Sequence, residues 1–304
     1  MAITSKLSAG LALWAATSAT ALPNLSSLAR RLDFSLPDVL KTSLTYGAPD
    51  NDFNCKSTDH PNPVVMLHGL SQNRDDDLNL LQKALNERGY CTYSLTYGAH
   101  SLASWVGGVK DMTETAVDIA DFIREVLEKT GAGKVDIVGH SEGAVQAIYV
   151  PMTQEGISSS VDHVVALAPA LHGASYFGIA DLWYFAGDVS RKIIGAVIDT
   201  LGCPACEQMV KDGEIYNEFK DVDKIAQDGN KVTIIMSRTD TLVPPETSEV
   251  HEDGVKLVYV QDTCPNDSVG HFGLSWDKSV WRLVVNALEE SDDEAFPCEQ
   301  GLMF

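Results

Sequence analysis

Six short runs of β-branched and apolar residues, separated by stretches with helical spacing, constrain this chain more than any other feature. The runs are Val64–Leu67, Thr92–Leu95, Val135–Val138, Val164–Leu167, Val232–Met236 and Lys256–Val260. They are bounded by Gly, Pro or Asp and are apolar rather than alternating, as strands covered on both faces are. Strands that alternate with helices build a mainly parallel sheet, so the chain reads as α/β. Between the second and third runs, Met112, Ala116, Ile119, Ala120, Ile123 and Leu127 recur at three- and four-residue steps. That spacing gathers them on one face, turns Asp118, Asp121, Arg124 and Glu128 to water, and leaves Gly131 as the stop. Val280, Leu283, Val284 and Ala287 mark a last helix in the same way. These stripes are core, and they serve to place the loops between them.

With 304 residues, 44% of them hydrophobic, the chain has enough apolar surface for one large core, expected over about 55–304. No repeat or low-complexity tract divides it. One region, about 173–220, breaks the alternation: Tyr176, Phe177, Trp183, Tyr184, Phe185, Ile193 and Ile194 follow no strand spacing. We read it as a helical cap or lid over the carboxyl edge of the sheet, against the alternative of two ordinary crossover helices.

The first 21 residues read as a signal peptide. Lys6 supplies the basic region, Leu7–Ala16 the apolar stretch, and Ala19-Thr20-Ala21 the small residues of a cleavage site. A secreted, extracellular protein is expected. Residues 22–54 form an N-terminal segment in which Arg30-Arg31 is either the end of a pro-segment or an ordinary basic pair. Elsewhere no apolar stretch is long enough to cross a bilayer. In an oxidising compartment the six cysteines should form disulfides, whose pairing the sequence leaves open. Proximity along the chain suggests Cys55–Cys91, Cys203–Cys206 and Cys264–Cys298. Cys203-Pro-Ala-Cys206 also has redox-motif spacing, but lacks the strand-to-helix setting of such a motif, so a structural bridge is the reading. Asn24 and Asn266 head glycosylation sequons. A formal charge of −21 argues against nucleic acid and against electrostatic docking on anionic membranes. A monomer is expected.

The chemistry centres on Gly139-His140-Ser141-Glu142-Gly143. A serine hydroxyl is a poor nucleophile unless its oxygen is raised from the chain and a base takes its proton. The flanking glycines permit the sharp strand-to-helix turn that does the raising. Chance produces such a pentapeptide in roughly one chain in ten of this length, but here the run Lys134–Val138 precedes it and a helical stretch from Ala144 to Ile148 follows. The strand Val64–Leu67 ends in His68-Gly69-Leu70, the position of the loop that completes an oxyanion hole; we expect the backbone amides of Leu70 and Glu142 to be the donors. His68 itself is expected to pack.

An acid and a histidine should follow the serine in that order. Asp240 lies in the loop just beyond Val232–Met236, a better position than those of Asp223, Asp228 or Glu246. Only His251 and His271 come later. His271, in the glycine-flanked loop Ser268–Gly273 before the final helix, is preferred to His251. His140 is read as a packing residue at the turn, and His172 is given no role.

Together these features resemble the class 2 family of small secreted triacylglycerol lipases. The resemblance runs from about Cys55 to Leu288 through Pro63–Gly69, Gly89-Tyr90-Cys91 with Tyr97-Gly98, Gly139–Gly143, Ala168-Pro169, His172-Gly173, Cys203–Cys206, Asp240 and Gly270-His271. It implies an α/β-hydrolase fold, a Ser141–Asp240–His271 triad, no cofactor and no metal. Two departures are Glu142, where the family often has glutamine, and Ala144, where it has a further glycine. The substrate would be an acylglycerol or other lipid ester; a carboxylesterase for short or aromatic esters is the nearest alternative. A non-catalytic secreted binding protein and a dithiol oxidoreductase are remoter. For the tail, we suggest that Cys298 pins it through Cys264.

Overall fold

The computed structural model of the chain describes residues 38–174, 188–222, 224–291 and 296–303. The signal peptide, the Arg30-Arg31 pair, Asn24, Asp223 and the aromatic residues from Tyr176 to Phe185 lie outside the described residues.

All six expected strands are present: β1 (Val64–Leu67), β2 (Thr92–Ser94), β3 (Val135–His140), β4 (Val161–Leu167), β5 (Lys231–Met236) and β6 (Val255–Tyr259). They form one parallel sheet in the order β2-β1-β3-β4-β5-β6. The last strand stops one residue early, because Val260 opens a short helix, Val260–Thr263. Strands β1 and β3 are buried throughout, whereas edge strand β6 is half-exposed. That is why the inner runs carry no polar alternation. Asp136 interrupts β3 only because His163 and Asn62 hydrogen-bond its carboxylate, from β4 and from the loop before β1.

The helices cover both faces, as in an α/β-hydrolase. In chain order those that matter below are α1 (Asn79–Glu87), α2 (Met112–Thr130), α3 (Glu142–Thr153) and α4 (Lys278–Glu289). Helix α2 starts where Asp111 caps the amides of Thr113 and Glu114, and ends at Gly131, whose φ of 71° is left-handed. The inward stripe is as spaced: Met112, Ala116, Ile119, Ala120 and Ile123 are buried. Helix α3 lies against β3 and β4, and α4 against β4 and β5.

The strand order turns back on itself between β1 and β3. In open parallel sheets ligands bind at the carboxyl ends of strands beside such a switch point. Leu67 of β1 pairs with Gly139 of β3, and His140 with Leu167 of β4. The loops after β1, β3, β5 and β6 therefore emerge along one edge.

Cys55–Cys91, Cys203–Cys206 and Cys264–Cys298 are bonded, with S–S distances of 2.07, 2.02 and 2.03 Å. The first ties the segment before β1 to the start of β2. The second crosses the start of a short helix, Pro204–Gln208. Two more helices, Asp188–Leu201 and Glu214–Asp221, lie in the region read as a cap. Gln208 docks this region on the amino end of α2, accepting from the Met112 amide and donating to Asp111.

Candidate active site

Ser141 stands at the turn from β3 to α3 with φ 56° and ψ −119°, a conformation that lifts its side chain out of the strand line. The turn is possible because α3 starts almost in contact with the strands. A Cβ on Gly139 would lie 2.2 Å from the Gly143 carbonyl oxygen, and one on Gly143 would lie 2.3 Å from that of Leu67. Only hydrogen fits at either position.

Three residues far apart in sequence meet at this turn. Nε2 of His271 lies 2.9 Å from the Ser141 hydroxyl, and its Nδ1 lies 2.7 Å from Oδ2 of Asp240. All three are buried. The second carboxylate oxygen of Asp240 accepts from the amides of Leu242 and Val243, both at 2.9 Å, so the acid is oriented by its own loop. The other acids considered lie elsewhere: Asp228 pairs with Lys224, and Glu246 is exposed. His251 is exposed beside Glu249, and His172 donates to the Glu249 carbonyl.

The loop after β1 runs beside the serine. Gly69 donates to Oδ2 of Asp77 at 2.7 Å, and Ser71 to the Gly107 carbonyl at 2.9 Å. The Leu70 amide lies between these two engaged donors. Glu142, as the first residue of α3, has an amide with no turn before it to accept its proton. The His68 ring stacks on Tyr97, gives Nδ1–H to the Gly69 carbonyl and accepts from the Tyr97 amide. Burial lowers its pKa to about 4, so it is a neutral packing residue, as expected.

Sequence reasoning missed Asp77, gave Tyr97 no role beyond its part in the resemblance, and undervalued His140. The His140 ring is fully buried, with Nδ1 2.9 Å from Asp77 and Nε2 3.1 Å from the His271 carbonyl. Both partners accept, since Asp77 already receives the Gly69 amide, so both ring nitrogens carry protons. Burial opposes charge on either group, but their mutual attraction prevails: the imidazole is pushed up and the carboxyl down. His140 is thus half of a buried ion pair rather than a packing residue. The tail also takes part. Gly270 donates to the Leu302 carbonyl at 2.7 Å, and Gly301 to Asp267 at 2.9 Å, so the tail reaches the His271 loop beyond the Cys298 bridge.

Among the described residues one cluster has metal-ligand types, Asp136, Asp162 and His163. It lies at the opposite, amino end of β3 and β4, and its oxygens are engaged by Asn62, Lys134 and His163. Asn266, the second sequon, is exposed.

A switch-point serine on a strand–helix elbow, hydrogen-bonded to a histidine and an aspartate from later loops, defines an α/β-hydrolase site. Solved structures share the fold. Lipase B of Aspergillus fumigatus superposes with a TM-score of 0.56 at 14% identity, over 80% of this chain and 55% of that one. This chain thus spans about half the length of that protein. A monoacylglycerol lipase of Paleococcus ferrophilus gives 0.52 at 17% identity, over 81% and 96% of the two chains. A Bacillus licheniformis lipase gives 0.54 at 15% identity, over 80% and 96%. The model of the class 2 lipase family matches residues 61–278. The chain belongs to the class 2 lipase family and so to the carboxylic ester hydrolases.

Proposed function

We propose that this protein is a secreted lipase that cleaves acylglycerol esters through Ser141, His271 and Asp240. The observation that carries the reading is the unbroken chain of hydrogen bonds from the Ser141 hydroxyl through His271 to Asp240. His271 removes the serine proton as the oxygen attacks the ester carbonyl, and Asp240 orients and stabilises the imidazolium. The amides of Leu70 and Glu142 hold the oxyanion of the tetrahedral intermediate. The imidazolium returns its proton to the leaving alcohol. Water then attacks the acyl-serine by the same steps and releases the acid. The acyl chain lies under the described helices of the cap region, Asp188–Leu201 and Glu214–Asp221.

Secretion is supported by the amino-terminal sequence and by the pairing of all six cysteines. The test is hydrolysis of p-nitrophenyl esters from acetate to palmitate by wild type and by Ser141→Ala. The proposal predicts activity on long chains and a loss of about 10⁴-fold or more in the variant. Activity confined to the shortest esters makes the protein an esterase instead, and none in wild type leaves a binding protein. Amino-terminal sequencing of protein from culture medium tests cleavage after Ala21.

A further inference from the structure

Glu142 follows the nucleophile, and its side chain is buried, 1% exposed, in a place where a carboxylate is costly. Its Oε2 is hydrogen-bonded to the Tyr97 hydroxyl. The same hydroxyl lies 2.5 Å from the His68 carbonyl oxygen. A phenol has one proton, and a carbonyl can only accept. If Tyr97 donates to His68, its contact with Glu142 needs a proton from the carboxyl. If Tyr97 donated to an ionised Glu142, two lone-pair oxygens would face each other at the His68 carbonyl. Among the described residues, Oε1 of Glu142 has no partner, tolerable for a neutral acid and very unfavourable for a buried anion.

We infer that Glu142 works as a neutral carboxylic acid, donating through Tyr97 to the His68 carbonyl and so tying together the two backbone segments that supply the oxyanion amides. Its neutrality keeps a negative charge away from the point where the transition state develops one. This rests on the ester-hydrolase mechanism proposed above. Glu142 is a positioning residue in its side chain, distinct from the role of its amide. Burial, against the weaker opposing pull of Tyr97 and of the nearby Gln146 amide, pushes the Glu142 pKa up to about 8.

The groups facing it support a single ionisation in that range. Tyr97, from the loop after β2, is held far above its ordinary value by burial and by Glu142 itself. His68, after β1, is neutral, and Asp77 before α1 is paired with His140. On its own helix stands Gln146, which reaches Met112 and Thr115 of α2. Gly107 and Gly108 present no titratable side chain. Ionising Glu142 would break the donor chain and place a charge beside the oxyanion.

The test is the pH dependence of kcat/KM for p-nitrophenyl butyrate, corrected for spontaneous hydrolysis, in wild type and Glu142→Gln. Glutamine donates the same hydrogen bond without ionising. We expect wild type to lose about tenfold or more between pH 7 and about 9.5. The ratio of rates across that range should stay within about twofold in Glu142→Gln, whatever its absolute rate. Difference infrared spectra should show a protonated carboxyl band lost over the same pH range and missing from the variant. An alkaline fall that survives in Glu142→Gln, or a wild type flat to about pH 9.5 without that band, overturns the inference. Should Glu142→Gln not fold, Tyr97→Phe replaces it. The midpoint should then rise, because the ionised acid loses the Tyr97 hydroxyl as a donor that can turn to it; an unmoved midpoint also overturns the idea. If wild type hydrolyses no ester, the mechanism fails, and the infrared band alone still decides the charge state of Glu142.

Discussion

Asp77 holds His140, the neighbour of Ser141, through a 2.9 Å contact, and His140 in turn donates to the backbone of His271. One carboxylate therefore links the Gly69 loop, the serine turn and the His271 loop. No single element of secondary structure contains any two of these parts.

Removing that carboxylate should do more than cost stability. Asp77→Ala leaves a buried imidazolium unpaired, which typically costs about 3–5 kcal/mol. Asp77→Asn should cost much less, because its amide can donate to a neutral His140 while its oxygen still accepts from Gly69. Urea unfolding checks the ranking. In ester assays Asp77→Ala should lower kcat more than it raises KM, since the His271 carbonyl loses its anchor.

The same pair sets a pH window for stability. His140, raised above its unfolded value, contributes fully below the ordinary histidine range and loses its contribution as pH rises through its folded pKa. Asp77, lowered, contributes above the ordinary aspartate range and loses it as pH falls through its folded pKa. Glu142 acts in one direction only: its folded pKa of about 8 lies above the unfolded value near 4.5, so stability declines as pH rises between them. Glu142→Gln should flatten that decline, by roughly 4 kcal/mol at most. Unfolding curves at about pH 5 and pH 8.5 measure it.

Glycine substitutions should divide sharply by position. Gly143→Ala places a methyl against the Leu67 and His68 carbonyl oxygens. No flexible side chain can yield there, so folded protein should be lost or destabilised by more than about 3 kcal/mol. Gly133→Ala meets nothing within 4 Å and needs no left-handed backbone; it should be neutral or stabilising by up to about 1 kcal/mol. Thermal melting of the two variants compares them directly.

The disulfides should contribute according to the loops they close. Cys55–Cys91 spans 36 residues and Cys203–Cys206 only 3. Chain entropy alone gives about 4 and about 1.5 kcal/mol respectively. Paired alanine replacements, followed by urea denaturation, should show the larger loss for the first.

Ending the chain after Cys298 keeps the third bridge but removes the Leu302 carbonyl and the Gly301 amide. The His271 loop and its approach then lose three hydrogen bonds, at Gly270, Asp267 and Ser268. We expect kcat to fall about tenfold with little change in melting temperature, since a small displacement of a base is costly in rate. Steady-state kinetics of the truncated protein test it.

Much of the site was legible because its signals are local. The strand Val135–His140 and the elbow are consecutive residues, and the glycines needed for the turn sit beside the serine. Asp240 and His271 could be ranked because chain order and strand ends restrict where such residues can stand. Asp77 carries no comparable signal: it is one of three consecutive aspartates, Asp75, Asp76 and Asp77. Its partner comes from β3, which it meets only because β1 and β3 are neighbours in the sheet. Tyr97 is hidden for the same reason, 45 residues from Glu142.

The sequence by itself determined the six strands, the sharp turn at Ser141 and the order of the serine, acid and histidine, because each depends on neighbouring residues and their spacing. Tertiary structure alone decided the charges: His140 protonated, His68 neutral, and Glu142 raised to about 8. A proton's free energy depends on how far water is excluded and on which dipoles replace it. Those surroundings come from segments distant in the chain and exist only once the sheet has brought them together.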